Sequence, residues 1–155
     1  MDLQNFTFNH IMIVDDTKID RRIAAETIKK NGFAKKIIEF DMATTAIEYL
    51  EENQNNPEKL PEIIFLDIRM PVMDGFQFLD RLALLPELNT QISVIILSCS
   101  TSLADQQRAE SNSLVKKFLN KPLNQSNLEQ TMALYSFLKN IDDIDANNYF
   151  LLHCL

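Results

Sequence analysis

Short apolar runs alternate with longer amphipathic segments along this chain of 155 residues. The short runs are rich in Ile, Val, Leu and Phe, which is typical of strands covered on both faces, and the longer segments have helical periodicity. A helix that returns the chain between two parallel strands produces this alternation. The sequence therefore predicts an α/β fold built from βαβ units around a parallel sheet.

Five strands and five helices are predicted from these runs. The strands are His10–Val14, Lys36–Phe40, Glu62–Leu66, Ile92–Leu97 and Val115–Leu119. The helices are Thr17–Asn31, Met42–Asn53, Phe76–Leu85, Leu103–Asn112 and Gln125–Ile141. The i, i+4 spacing of Ile19, Ile23 and Thr27 supports the first helix, and the polar segment Asn53–Pro61 is predicted to be a surface loop.

Length and composition restrict the class of protein. A chain of 155 residues has room for one domain of ordinary size, so we expect no separate output domain. The formal net charge of -7 argues against direct binding of a nucleic-acid backbone. No stretch has the ~18 apolar residues of a membrane helix, residues 1–10 lack the basic part of a secretion signal, and two separated cysteines do not indicate a disulfide framework. We expect a cytoplasmic protein without a membrane partner.

Polar side chains follow four of the five predicted strands. Asp15 and Asp16 follow the first strand, Asp67 the third, Ser98 the fourth and Lys121 the fifth. Sites in open α/β sheets lie beyond the carboxyl ends of the strands. Each residue alone also fits a plainer role, such as a helix cap at Asp16 or a turn at Asp67. Their occurrence together, in order and at strand ends, favours a single site.

Carboxylates held close together repel one another, by about 4 kcal/mol per close pair at an effective dielectric constant near 20, so such a site needs a cation. Mg²⁺ (or Mn²⁺) is suitable because it binds carboxylate oxygens, keeps several waters and completes its shell with phosphate oxygens. Lys121 supplies a second positive charge, and Ser98 supplies a hydroxyl donor. Together these groups are suited to holding a phosphoryl group on a central aspartate.

The sequence resembles the receiver domain of two-component response regulators, in particular the chemotaxis-type, stand-alone single-domain kind. The matching motifs are VDD at 14–16, LDIRMPVMDGF at 66–76, ILS at 96–98 and FLNKPL at 118–123. The resemblance implies a flavodoxin-like fold, which is a doubly wound, five-stranded parallel sheet with strand order 2-1-3-4-5. It places the receiver domain at residues 9–140 and leaves residues 141–155 as a C-terminal tail.

The resemblance also implies roles for the acidic residues. Asp67 is the expected phosphoacceptor, which receives a phosphoryl group from a sensor histidine kinase or a histidine phosphotransfer protein. Asp15 and Asp16, with Asp67 and the backbone carbonyl of Arg69, are the expected metal ligands. In this family the side chains at the positions of Arg69 and Ser100 influence the access of water to the phosphoryl group.

The remaining site residues follow from the same resemblance. Ser98 and Lys121 are expected to stabilise the phosphoryl group, Ser98 and Phe118 to form a switch, and the Lys121–Pro122 peptide bond to be cis. The surface formed by the predicted fourth helix, fifth strand and fifth helix is expected to bind a downstream protein whose identity the sequence does not reveal.

A signalling function is the leading interpretation, in which the protein catalyses only its own phosphoryl transfer and dephosphorylation and is not otherwise an enzyme. A phosphatase or phosphotransferase of the haloacid-dehalogenase kind also forms an aspartyl phosphate, but it needs a second Asp two residues later as general acid and base. Arg69 occupies that place. The third alternative is an interaction domain with a vestigial site.

The last predicted helix carries apolar residues on two faces. One face has Leu128, Met132 and Tyr135, and the other has Leu134, Phe137 and Ile141. One sheet cannot bury both faces of a helix. The apolar residues 149–155 are therefore predicted to pack back over the second face, unless that face is an interface with a second copy.

Overall fold

The computed structural model describes residues 7–138, and these form a five-stranded parallel sheet with helices on both faces. The strands are β1 (Phe8–Val14), β2 (Ala34–Phe40), β3 (Ile63–Leu66), β4 (Ser93–Ser98) and β5 (Val115–Asn120). They lie in the order β2-β1-β3-β4-β5, and all four strand pairs are parallel. The predicted α/β class, strand order and flavodoxin-like fold are confirmed.

The helices agree with the prediction except for one short addition. They are α1 (Lys18–Lys30), α2 (Ala43–Glu52), α3 (Gly75–Ala83), α4 (Pro86–Asn89), α5 (Leu103–Glu110) and α6, which occupies residues 125–138. The sequence reading missed α4, which follows α3 almost directly and begins at a proline, a residue whose fixed φ suits a first helical turn. The predicted loop Asn53–Pro61 contains a single 3₁₀ turn at Pro57–Lys59. Within residues 7–138 no helix has the length and apolar character of a membrane span.

Alternate residues of the central strand point to opposite layers of the core. Met12 and Val14 face α2, α3, α4 and α5, whereas Ile11 and Ile13 face α1 and α6. Both faces of β1 and β3 are therefore covered, and no residue of β3 is exposed. Because the strands are all parallel, the polar groups that follow them lie at the same edge of the sheet, beyond the carboxyl ends of the strands.

The buried face of α1 differs from the one that the i, i+4 spacing suggested. Ala24, Ala25 and Ile28 are buried, whereas Ile19 is 69% exposed and Ile23 is 38% exposed. The spacing correctly indicates a helix, but it does not tell which face packs on the sheet. Two of the three buried residues are alanines, which let the helix lie close to the sheet.

The prediction for the last helix is correct in part. Leu128 is buried and the Tyr135 ring packs at 4.8 Å from the ring of Phe8, but Met132 is 40% exposed and lies at the edge of the buried stripe. Phe137, on the predicted second face, is 62% exposed. The predicted cover for that face, the tail at 141–155, lies outside the described residues.

Candidate functional site

The pairing of β1 with β3 brings two of the predicted acidic residues together. Val14 and Leu66 are register partners at the ends of these strands, and Asp15 and Asp67 are the next residues. The Asp67 backbone N–H donates to the Val14 carbonyl at 2.9 Å, which continues the ladder into the site. Asp15 and Asp67 are buried, at 3% and 6% exposure, so two carboxylates share a largely desolvated edge of the sheet.

Asp16 completes an acidic cluster. One carboxylate oxygen from each of Asp15, Asp16 and Asp67 lies within 4.8 Å of the others. Three hard oxygen donors at this separation fit Mg²⁺ or Mn²⁺, and the exposure of Asp16 leaves one side of the cluster open for waters and phosphate oxygens. The contribution of the Arg69 backbone carbonyl stays a prediction.

Lys121 lies buried among carboxylates at the centre of the site. Its Nζ atom is 2.7 Å from Asp15 Oδ2, 3.0 Å from Asp20 Oδ2 and 3.1 Å from Asp67 Oδ2. An ammonium group has three N–H donors, and each has a carboxylate acceptor here. The peptide bond between Lys121 and Pro122 is cis, the geometry that the resemblance implies. Lys121 thus partly offsets the repulsion within the acidic cluster.

The ionisation of the two central groups follows from this arrangement. Burial raises the pKa of Asp15 above its ordinary value, although hydrogen bonds from Lys121 and the Thr17 backbone oppose the rise. Burial alone would lower the pKa of Lys121, but hydrogen bonds to Asp15 and Asp20 and the charge of Asp67 raise that pKa well above its ordinary value. Lys121 therefore stays protonated at any physiological pH and is a permanent cation for this site.

Asp20 is a site residue that the sequence reading missed. It lies in the first turn of α1 and contacts Lys121 across 101 positions of sequence. The only local signal is that Asp20 stands four residues after Asp16, where a helix places it on the same face. An acidic residue in a first helical turn is also a common capping feature, so this signal does not distinguish the two roles.

The predicted switch residues lie on the neighbouring strands. Ser98 ends β4, is 1% exposed, and its Oγ accepts a hydrogen bond from the Ser100 backbone N–H at 3.2 Å. Phe118 pairs with Ile96 in the sheet and is half-buried against the core layer that includes α5. The Ser98 hydroxyl accepts this hydrogen bond, so its own proton is free to be donated to another acceptor. Phe118 is only partly buried, so an inward rotation can bury more of its ring.

Substitution of Asp15 is expected to stabilise the metal-free protein and, at the same time, to prevent stabilisation by Mg²⁺. The raised pKa means that protonated Asp15 stabilises the fold at low pH and that this stabilisation is lost as pH rises through the folded-state pKa. At neutral pH Asp15→Asn should therefore raise the melting temperature of the metal-free protein by a few degrees and abolish the further rise caused by Mg²⁺. Thermal unfolding with and without Mg²⁺ measures both effects.

Asp16→Asn is the matched control for that measurement. Asp16 is exposed, so its substitution should leave the metal-free melting temperature unchanged while it weakens the Mg²⁺ effect. A lower metal-free melting temperature for Asp15→Asn would show that its ion pair with Lys121 outweighs its burial.

The loop after β3 contains a strained turn. Val72 has φ of 69°, and the Met73 backbone N–H donates to the Pro71 carbonyl at 2.8 Å, which forms a three-residue γ-turn. Positive φ costs a non-glycine residue about 1–2 kcal/mol, and Val72 is 81% exposed, so no burial offsets the strain.

Val72→Gly should therefore raise the melting temperature by a few degrees, because the relief of strain exceeds the roughly 0.5–1 kcal/mol that glycine loses through entropy. Val72→Ala, which keeps a Cβ and most of the strain, should change it less. Equal melting temperatures for the glycine and alanine variants would show that the turn is not strained.

A comparison of the sequence with protein families decides the assignment. Residues 11–133 match the family model of the response regulator receiver domain. The chain belongs to this family. The match runs from within β1 into α6, so it includes every residue of the candidate site.

The similar proteins differ in how much of their own length this receiver domain matches. It is 30% identical over 122 residues to the probable methanogenesis regulatory protein FilR2 of Methanothrix harundinacea, with 79% of this chain and 77% of that protein covered. It is 26% identical over 126 residues to the sensor histidine kinase RcsC of Salmonella typhi, with 81% of this chain but only 12% of that protein covered. The matched region is thus a small part of the second relative.

Solved structures share the architecture. A two-component response regulator from Cytophaga hutchinsonii superimposes with a TM-score of 0.77 at 25% identity and covers 88% of this chain and 99% of that one. The Mn²⁺-bound form of response regulator Rcp1 superimposes with a TM-score of 0.66 at 25% identity and covers 84% of this chain and 94% of that one. The second structure shows that a related protein binds a divalent cation.

Proposed function

We propose that this receiver domain accepts a phosphoryl group on Asp67 from the phosphohistidine of a sensor histidine kinase or a histidine phosphotransfer protein. The observation that carries the proposal is the buried contact of Lys121 with both Asp15 and Asp67, beside a cluster of three carboxylates within 4.8 Å of one another. An excess of buried negative charge costs stability unless a cation or a substrate offsets it.

The side chains have distinct tasks in the transfer. A carboxylate oxygen of Asp67 attacks phosphorus as the bond from phosphorus to the histidine nitrogen breaks. The other ring nitrogen of the phosphohistidine carries a proton, so the imidazole leaves in its neutral form. Asp67 Oδ1 accepts a hydrogen bond from the Ile68 N–H at 2.8 Å, which fixes the orientation of the nucleophile. Lys121 can move one N–H from Asp67 to a phosphoryl oxygen while Asp15 and Asp20 hold the other two. Mg²⁺ or Mn²⁺, when bound by the acidic cluster, supplies further positive charge to the phosphoryl oxygens.

A small phosphodonor tests the proposal directly. Incubation with acetyl phosphate and Mg²⁺, followed by mass spectrometry of the intact protein, should show the addition of one phosphoryl group. Peptide mapping under mildly acidic conditions should place it on Asp67. No mass gain at any concentration of Mg²⁺ or Mn²⁺ would overturn the proposal.

The site also argues against turnover of a separate substrate. A haloacid-dehalogenase-type enzyme needs a carboxyl group two residues after the nucleophile, and the Arg69 side chain there donates to Asp105 at 3.0 Å. A guanidinium stays protonated in proteins and cannot serve as a general base. We infer a cytoplasmic signalling module that catalyses only its own phosphoryl transfer and dephosphorylation and that acts on a protein rather than on nucleic acid.

The output surface proposed here consists of α5, β5 and α6. Ala109 is the only buried residue of α5, so few apolar contacts hold this helix in place. A phosphoryl oxygen on Asp67 would accept a hydrogen bond from the Ser98 hydroxyl, and the movement of that side chain would open space for Phe118 to turn inward. Since phenylalanine has no polar group, its burial needs no new hydrogen bond.

The switch predicts a phosphorylation-dependent change in amide hydrogen exchange at α5. Wild-type protein should show this change when it is phosphorylated, whereas Ser98→Ala and Phe118→Ala should accept the phosphoryl group but lose most of the change. Ser111→Ala is the control, because that exposed hydroxyl at the end of α5 contacts only the Arg108 carbonyl. A full exchange response in both switch variants would show that the signal leaves the site by another route.

A further inference from the structure

The two buried carboxylates of the acidic cluster have both of their oxygens engaged by N–H donors. Asp15 Oδ1 accepts from the Thr17 backbone N–H at 2.9 Å, and Asp67 Oδ1 accepts from the Ile68 backbone N–H at 2.8 Å. The Oδ2 atoms of Asp15 and Asp67 lie 2.7 Å and 3.1 Å from Lys121 Nζ. A cation bound to these carboxylates therefore competes with the Lys121 ammonium, because both positive groups need the same two acceptors.

Asp20 is a third partner of Lys121, and it stands outside the acidic cluster that the described residues form. Its Oδ2 atom lies 3.0 Å from Lys121 Nζ, and it reaches the lysine from the first turn of α1. Asp15 and Asp67 alone already exceed the single positive charge of Lys121, so neutralisation of the lysine does not require Asp20. The Lys121 side chain is only 6% exposed, so an N–H that loses its carboxylate has little water to replace it.

We propose that Asp20 is a positioning residue that holds Lys121 in place when a divalent cation weakens the contact of Lys121 with Asp15, and that it thereby strengthens cation binding. The inference rests on the proposed function only where it concerns phosphoryl uptake. With Asp20 present, the ammonium keeps a charged acceptor that the cation does not take. Without Asp20, the same weakening leaves a buried ammonium poorly paired, and this cost opposes the cation.

Calorimetric titration with Mn²⁺ tests the inference without phosphorylation. Asp20→Asn keeps an oxygen acceptor but removes the charge that holds Lys121. The Kd for Mn²⁺ should therefore rise about three- to tenfold, between the loss of an exposed ion pair and that of a charge-assisted hydrogen bond. Asp20→Glu keeps the charge and should restore most of the affinity. Glu26→Gln is the control for a lost charge on α1, because Glu26 pairs with the exposed Arg22, and it should leave the Kd unchanged.

A Lys121→Gln background separates the positioning of the lysine from direct attraction between Asp20 and the cation. No ammonium is left to hold there, so Asp20→Asn should change the Kd for Mn²⁺ by less than about twofold. The inference is overturned if Asp20→Asn raises the Kd equally with and without Lys121, if it leaves the Kd unchanged in the presence of Lys121, or if Glu26→Gln raises it as much. Should Lys121→Gln fail to fold by circular dichroism, the rate of phosphoryl uptake at saturating Mn²⁺ decides instead.

Uptake from acetyl phosphate at saturating Mn²⁺ is that second readout. Weaker cation binding cannot lower the rate at saturation, so a remaining decrease reports a less fixed Lys121. The rate for Asp20→Asn should be about three- to tenfold below that of the wild type, and Asp20→Glu should restore most of it. A wild-type rate for Asp20→Asn would contradict the positioning of Lys121. If the wild-type protein takes up no phosphoryl group, the proposed function fails, and the Mn²⁺ titrations alone decide whether Asp20 supports cation binding.

Discussion

Asp67→Asn is expected to abolish the uptake of a phosphoryl group from acetyl phosphate while the protein remains folded. The amide oxygen of Asn is a poor nucleophile, but it can still accept the hydrogen bond from the Ile68 N–H. Lys121 keeps two of its three carboxylate partners, Asp15 and Asp20, so the substitution leaves no buried charge unpaired. Removal of one like charge from the cluster should also leave the melting temperature equal to or above that of the wild type.

The same uptake should require a divalent cation. Three carboxylates face an approaching phosphate, and Lys121 alone carries too little positive charge to balance them. An excess of chelator should therefore reduce the rate of uptake to background, and added Mg²⁺ or Mn²⁺ should restore it. Intact-mass spectrometry over time measures each rate.

Asp80→Asn is the matched control for the loss of a carboxylate. Asp80 is exposed on α3 and takes no part in the acidic cluster, so this variant should be phosphorylated at the wild-type rate. Phosphorylation of Asp67→Asn at the wild-type rate would show that another residue is the acceptor. A rate unaffected by chelator would show that the cluster does not need a cation.

Gly75→Ala should damage both the fold and the site, because Gly75 lies against the backbone of Asp67, the proposed phosphoacceptor. A Cβ at this position would overlap the Asp67 carbonyl oxygen and lie 2.9 Å from the Ile68 Cα. Both are backbone atoms and cannot rotate away. The Gly75 N–H also donates to the Ile68 carbonyl at 2.8 Å, so the start of α3 cannot move without loss of that bond.

The expected cost of Gly75→Ala is about 1–3 kcal/mol in the free energy of unfolding, as for other overpacked positions. The displacement of Asp67 should also slow phosphoryl uptake at least tenfold, since small errors of position at a reacting atom have large effects on rate. Denaturant unfolding and intact-mass spectrometry measure the two quantities on the same preparation.

Gly32→Ala is the control for Gly75→Ala, because it also replaces a glycine but lies away from Asp67. Gly32 has a positive φ of 59°, yet no atom lies within 4 Å of a Cβ placed there. That variant should lose about 1 kcal/mol through backbone strain and keep the wild-type rate of phosphoryl uptake. If Gly75→Ala and Gly32→Ala had the same rate of uptake, the close approach of Gly75 to Asp67 would not matter for the chemistry.

Local patterns in the sequence were sufficient to predict the five strands and every helix of the described residues except the short helix α4. The central strands β3 and β4 are continuous, almost wholly buried apolar runs because both faces of the sheet are covered there, whereas the edge strands β2 and β5 also carry exposed lysines. All five strands lie within a few residues of their predicted bounds. The acidic residues, Ser98 and Lys121 were predicted to share an edge because they follow strands that had to be parallel. The strand order itself was predicted from the motifs that resemble receiver domains, because periodicity does not say which strands pair.

The long-range contacts around the site were decided by tertiary structure alone. The Lys121–Asp20 contact joins residues 101 positions apart, and the Arg69–Asp105 contact joins residues 36 positions apart. The exposure of Ile19 and the burial of Ala24 likewise depend on how α1 lies on the sheet. A sequence pattern reports the period of an element, which is a local property. Which face packs and which distant charge a side chain reaches depend on the relative positions of elements, and only the packing of the whole domain sets these.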